Sequence, residues 1–101
     1  MSKRKSQEIH DRQVYFLGGR GSGLKIVSDL KWLDGVVIKY SLALIDTLAT
    51  HLDHGRVLGY DSAHGCAHRH FKGEVTPTSF SSFDEVREAF EADLQTFLEK
   101  Q

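Results

Sequence analysis

Alternating apolar and polar residues dominate the middle of the chain and predict β-strands there. Between positions 36 and 44 the even-numbered residues are apolar or aromatic, whereas Lys39 and Ser41 fall on the opposite face. A period of two is typical of a strand with one buried face. The preceding segment, 24–33, alternates in a similar way, and Asp34-Gly35 between the two segments is a strong signal for a two-residue turn. The two segments are therefore predicted to form a β-hairpin.

Helical spacing replaces this alternation near the C-terminus. Ser82 and Glu85 fit a capping box, in which the serine hydroxyl accepts from the N–H of the glutamate three residues later and the glutamate side chain reaches back. The apolar residues that follow recur every three or four positions and form one stripe, as expected for a helix packed on a core; they are Phe83, Val86, Phe90, Leu94 and Phe97.

Shorter strands are predicted over 13–17, 56–61 and 68–72, followed by a break at Thr76-Pro77. The fold class is therefore α+β, an antiparallel sheet of about four to five strands with one C-terminal helix packed on it. Short connections favour antiparallel pairing, because a parallel crossover needs about a dozen residues or more. Residues 1–12 are predicted to be a flexible N-terminal tail and residues 13–101 a single domain.

Charge and composition exclude several classes of protein. The formal net charge of the 101 residues is −1, which argues against nucleic-acid binding by bulk positive charge, although a local basic site is compatible with it. Cys66 is the one cysteine, so no intrachain disulfide forms. No apolar run approaches the ~20 residues that cross a bilayer, and no apolar stretch follows the basic start. A cytoplasmic location is expected.

The chemistry-bearing residues concentrate between Tyr60 and His70. Three of the six histidines, His64 among them, lie within seven residues. If 68–72 is a strand, His68 and His70 project from one face. If the preceding strand pairs with it, Asp61 comes close to both rings.

Acid–base catalysis is one chemistry that suits this cluster. Histidine titrates near neutral pH, so His68 and His70 could act as acid and base while Asp61 orients one ring, with His64 in the adjoining loop. A cation, Arg69 or Lys72, would hold a phosphate. RNA cleavage fits this set without a cofactor, because the 2′-hydroxyl supplies the nucleophile.

Two other interpretations remain open on the residues alone. His64, His68 and His70 could bind zinc or another divalent ion, although their spacing differs from that of zinc fingers. The cluster could also be simply solvated, on a protein-interaction domain whose acidic helix or exposed sheet edge binds the partner.

The motif Gly-Tyr-Asp-Ser-Ala-His-Gly at 59–65, followed by His-Arg-His at 68–70, resembles the TumE family of toxins from bacterial toxin–antitoxin systems. Ser62 stands where that family commonly has asparagine. The resemblance implies a small toxin that acts on RNA or translation and pairs with an antitoxin carrying a DNA-binding domain. The expected partners are thus RNA and an antitoxin, with a homodimer as a further alternative and no membrane. The similarity extends over about 36–98 and includes Lys39-Tyr40, Phe80, Phe90 and Asp93.

Overall fold

The computed structural model describes residues 7–18, 23–48, 55–62 and 66–100. These residues form one antiparallel sheet in which each strand pairs with the next along the chain, followed by a C-terminal helix. The α+β class and the single helix on a sheet are confirmed. The elements are β1 (Glu8–Phe16), β2 (Leu24–Leu33), β3 (Val36–Asp46), β4 (Arg56–Asp61), β5 (His68–Phe71), β6 (Glu74–Pro77) and α1 (Phe83–Glu99).

The sheet has six strands rather than four to five. The additional strand is β6, which follows a tight turn at Lys72-Gly73, where φ is 48° and 89°. The Asp34-Gly35 turn has the same signature, 51° and 84°, and the predicted hairpin of β2 and β3 is confirmed. Pro77 ends β6 at the edge of the sheet, where its missing N–H costs no ladder hydrogen bond. The proline therefore limits the strand without abolishing it.

The first strand begins at Glu8, so residues 8–12 belong to the sheet rather than to a flexible tail. Their polarity is compatible with a strand because β1 lies at the sheet edge and most of its side chains are exposed. The strand pairs with β2 from Glu8, opposite Leu33, to Phe16, opposite Lys25. Backbone hydrogen bonds, rather than burial of side chains, therefore hold β1 in the sheet. Residues 1–6 lie outside the described part of the chain.

Helix α1 begins where the capping box predicts. The Glu85 N–H donates to the Ser82 hydroxyl at 3.3 Å, and the Glu85 carboxylate accepts from the Ser81 N–H at 2.7 Å, one residue before the cap. Val86 and Phe90 are the helix residues buried most deeply. They pack against one face of the sheet, whose core residues are Leu24, Leu42, Leu44, Leu58 and Tyr60.

The opposite face of the sheet, called the polar face below, bears a row of polar side chains aligned across the strands. Ser41 pairs with Asp29 of β2 and with Asp61 of β4, which pairs in turn with His68 of β5. A bulge beside Ile45 shifts the start of β4 by one residue. No helix of the described residues is long and apolar enough to span a membrane.

Candidate active site

Asp61, at the end of β4, joins two histidines of β5. It lies directly opposite His68, whereas His70 lies opposite Gly59, so that both rings point from the same face toward the carboxylate. His70 Nε2 is 2.7 Å from Asp61 Oδ2, and His68 Nδ1 is 3.8 Å from Asp61 Oδ1. These three side chains therefore converge on the polar face, as the sequence predicts.

Exposure separates the two histidines. The His70 side chain is 10% exposed and that of Asp61 15%, whereas 33% of the His68 side chain is exposed. His68 is therefore the member of the trio that a dissolved substrate can reach. His70, held by its hydrogen bond, is placed to fix the carboxylate.

Among the described residues, Arg56 contributes a cation that contacts this carboxylate. Its guanidinium donates to Asp61 Oδ2 at 3.2 Å, and the side chain is 20% exposed. The β-bulge explains its position, because Arg56 rather than Val57 lies opposite Ile45, while Val57 packs against the core on the helix face. An uninterrupted strand would put Val57 on the same face as Asp61, and the bulge places Arg56 on that face instead.

Two features of β3 and β4 hold this arrangement. A Cβ added to Gly59 would lie 2.6 Å from the Leu42 carbonyl oxygen and 3.1 Å from Arg56 Cδ, so only glycine lets the arginine stem cross here. After Asp61, the Ser62 hydroxyl accepts from the Tyr40 N–H at 3.0 Å and the Ser62 N–H donates to the Tyr40 carbonyl at 3.1 Å. The serine thereby fastens the end of β4 to β3.

Arg69, expected as a phosphate ligand, lies on the helix face. Its Nε donates to Asp93 at 2.9 Å and to the Tyr60 hydroxyl at 3.2 Å, and that hydroxyl donates to Asp93 at 2.6 Å. Burial, reinforced by the hydrogen bond to Asp93, raises the pKa of Tyr60 to about 12. The hydrogen bond to Asp93 likewise raises the pKa of Arg69. This network ties β4 and β5 to α1.

Lys72, the second expected phosphate ligand, is not in β5 but in the turn that follows it. Its ammonium lies 5.6 Å from the centre of the Phe71 ring, and the Arg69 guanidinium lies 4.8 Å from the same ring. Both cations therefore flank an aromatic ring that packs with the core on the helix face, while Asp61 and the histidines occupy the polar face.

A second histidine–carboxylate pair, which the sequence analysis missed, lies on the polar face nearer the sheet edge. His10 of β1 hydrogen-bonds Asp29 of β2, and Arg12 donates to the other oxygen at 3.1 Å. The His10 hydrogen bond, together with Arg12, lowers the pKa of Asp29. His10 and Arg12 alternate along the sequence as residues on one face of a strand do. The strand predicted over 13–17 did not extend to them.

The metal-binding alternative depends on a ligand in the loop between β4 and β5. His64 lies outside the described residues, so the proposed set of His64, His68 and His70 stays a prediction. Within the part of the chain that the structure describes, no group of three or more His, Cys, Asp or Glu side chains is arranged to hold a metal ion.

The chain matches no protein-family model, no curated protein and no solved structure.

Proposed function

We propose that the chain is a toxin-like enzyme that cleaves RNA without a metal ion, with His68 as its catalytic base. One observation supports this most directly: an accessible imidazole, His68, lies next to a carboxylate, Asp61, that a buried histidine and an arginine hold in place. An imidazole beside an oriented carboxylate is a common arrangement for general-base catalysis.

The proposed reaction uses the ribose 2′-hydroxyl as nucleophile. His68 Nε2 accepts the proton of this hydroxyl while its oxygen attacks the adjacent phosphorus. The bond from phosphorus to the 5′-oxygen breaks, and that oxygen takes a proton from water. The products are a 2′,3′-cyclic phosphate and a 5′-hydroxyl. Asp61, beside Nδ1, stabilises the imidazolium that forms, and Arg56 offsets negative charge developing on the phosphate.

His70 is a positioning residue in this proposal. Its side chain is 10% exposed and its Nε2 contacts Asp61, so it acts by fixing the carboxylate that orients His68. The sequence predicted that His68 and His70 act together as base and acid. In this proposal only His68 contacts the substrate. His64, also predicted to be catalytic, lies outside the described residues, and in this proposal the leaving oxygen takes its proton from water.

The resemblance to TumE-type toxins supports the biological role. A chain with this activity would be toxic unless restrained, and the proposal includes an antitoxin with a DNA-binding domain as its partner. It also implies action on cellular RNA in the cytoplasm.

The test is cleavage of mixed RNA by purified protein in excess chelator. We expect the parent to release cyclic-phosphate ends and the His68→Ala variant to lose at least ~100-fold in rate, the usual scale of general-base catalysis. Arg87→Ala is the control, because it removes an exposed cationic side chain of helix α1 on the other side of the sheet, and it should cleave as the parent does.

Three results would contradict the proposal. Parent-like cleavage by His68→Ala would exclude the assigned base. Cleavage that chelator abolishes, with about one equivalent of metal bound, would favour the metal site of His64, His68 and His70. No cleavage by any protein, with a protein partner recovered, would favour an interaction domain.

A further inference from the structure

Two concavities on the polar face meet at Ser41 and together form what we call the β2–β3 trough. One, of about 370 Å³, lies toward the Asp34-Gly35 turn, and the other, of about 390 Å³, lies toward the opposite end of β3. Ser41 lines both, so the two concavities adjoin each other along β3. Its charged lining residues are Glu8, Arg12, Lys25, Asp29, Lys31, Lys39 and Arg56.

The trough is positively charged although the whole chain is not. Five of those lining residues are cations and two are carboxylates, a formal net charge of +3 with histidine neutral. Both carboxylates already have cationic partners, since Lys31 lies 2.9 Å from Glu8 and Arg12 lies 3.1 Å from Asp29. Helix α1, on the other side of the sheet, has six acidic residues and one arginine. A polyanion is therefore attracted to the polar face and repelled by the helix.

The length of the trough suits several consecutive phosphates. Lys39 lies opposite Lys31 at one end, and Ile45 lies opposite Lys25 at the other. These rows are six residues apart along β3, or ~20 Å at the rise of a strand. His68 stands two strands from Ser41, roughly 10 Å away, which a bound nucleotide spans.

The floor and one end of the trough favour a single strand over a duplex. Two small residues, Ser41 and Ala43, lie along the floor on β3 and leave room for one backbone. At the far end Phe16, which is 76% exposed, lies opposite Lys25, where a base can stack on its ring. In-line attack by a 2′-hydroxyl also needs a flexible linkage, which a duplex does not provide.

We infer that the β2–β3 trough binds the backbone of single-stranded RNA and delivers it to His68, with Lys25 and Lys39 as phosphate ligands. The inference rests on the proposed function for its substrate class. These lysines take the role that the sequence analysis gave to Arg69 and Lys72.

The test measures binding separately from cleavage. The probe is a fluorescent single strand of about a dozen nucleotides with 2′-O-methyl riboses, which lack the nucleophile, and its anisotropy is followed over a range of salt concentrations. The Lys25→Glu, Lys39→Glu double variant should bind at least about tenfold more weakly, and its salt slope should fall by roughly 1.4, about 0.7 for each lost phosphate contact.

The matched control reverses two cations of the helix region, Arg87→Glu and Lys100→Glu, and thus changes the net charge equally. Its affinity should stay within about twofold of the parent's at moderate salt. Circular dichroism confirms that each variant is folded before binding is compared. A Phe16→Ala variant should lose affinity with little change in salt slope, because stacking involves no counterion release.

The outcomes separate the two proposals. Equal binding by the trough variant and the parent, equal loss in the control, or stronger binding of a matched duplex would each overturn the trough assignment. Selective loss of binding in the trough variant would establish the trough. If the parent also cleaves no RNA, only the catalytic proposal is refuted.

Discussion

Replacing Arg69 decides between the sequence expectation and the structure for this residue. Arg69→Met keeps the aliphatic stem but removes the guanidinium, which donates to Asp93 at 2.9 Å and to Tyr60 at 3.2 Å. Arg69 and Asp93 are both largely but not fully buried, with side-chain exposures of 33% and 24%. If the structure is right, the variant should be less stable, and its RNA binding should be unaffected.

The magnitude follows from these contacts. A hydrogen bond between charged groups contributes about 1.5–3 kcal/mol, and the partial exposure of this pair favours the lower part of that range. The contact of Arg69 with the Phe71 ring, 4.8 Å to its centre, adds roughly 0.5–1 kcal/mol. The expected loss of about 2–3 kcal/mol would lower the melting temperature of a chain this size by about 10–20 °C.

Urea denaturation provides the assay, with Arg87→Met as the control. Arg87 pairs with Asp84 at 2.9 Å on an exposed helix surface, where such a pair contributes at most ~0.5 kcal/mol. The anisotropy assay with the 2′-O-methyl strand then compares folded Arg69→Met with the parent. An unchanged urea midpoint with clearly weaker RNA binding would show that Arg69 holds phosphate, and the structural reasoning would be wrong.

Three further predictions concern the same scaffold. The pKa of Tyr60 is raised to about 12, so the folded state retains this proton more tightly than the unfolded chain and loses stability in urea titrations as pH rises from about 10 to 12. Gly59→Ala should cost about 1–3 kcal/mol by urea denaturation, because its Cβ would lie 2.6 Å from a backbone oxygen, whereas Gly18→Ala, with open space around it, should be nearly neutral. Ser82→Ala should cost about 1 kcal/mol in thermal denaturation through loss of the helix cap, and Ser81→Ala, whose backbone makes the Glu85 contact, should cost less.

The sequence predicts the fold best where two periodicities are strong. The hairpin at Asp34-Gly35 and the Ser82 cap are both found, because each depends on local chemistry that tertiary contacts do not override. The strand starting at Glu8 has little hydrophobic pattern, because an exposed edge strand gains its stability from backbone pairing. The strand ending at Pro77 follows a turn whose first residue, Lys72, is an unusual choice for positive φ.

The candidate site shows the same division. The convergence of Asp61, His68 and His70 follows from strand parity and a short connection, both legible in the sequence. Arg56 could not be assigned, because a one-residue bulge decides which face it joins and nothing in the residue pattern marks that bulge. The polar partner of Arg69, Asp93, comes from an element 24 residues later in the chain.

The order of the strands has a consequence for how the protein folds. Each strand that the structure describes pairs with its neighbour in the chain, so the sheet can grow by successive hairpins without closing a long loop. The candidate site, from Arg56 to His70, lies within one such hairpin, although its anchor to α1 forms only when the C-terminal segment is available. During synthesis the histidines and their carboxylate would therefore meet before the helix is available, and the site would become rigid only after the helix has emerged from the ribosome.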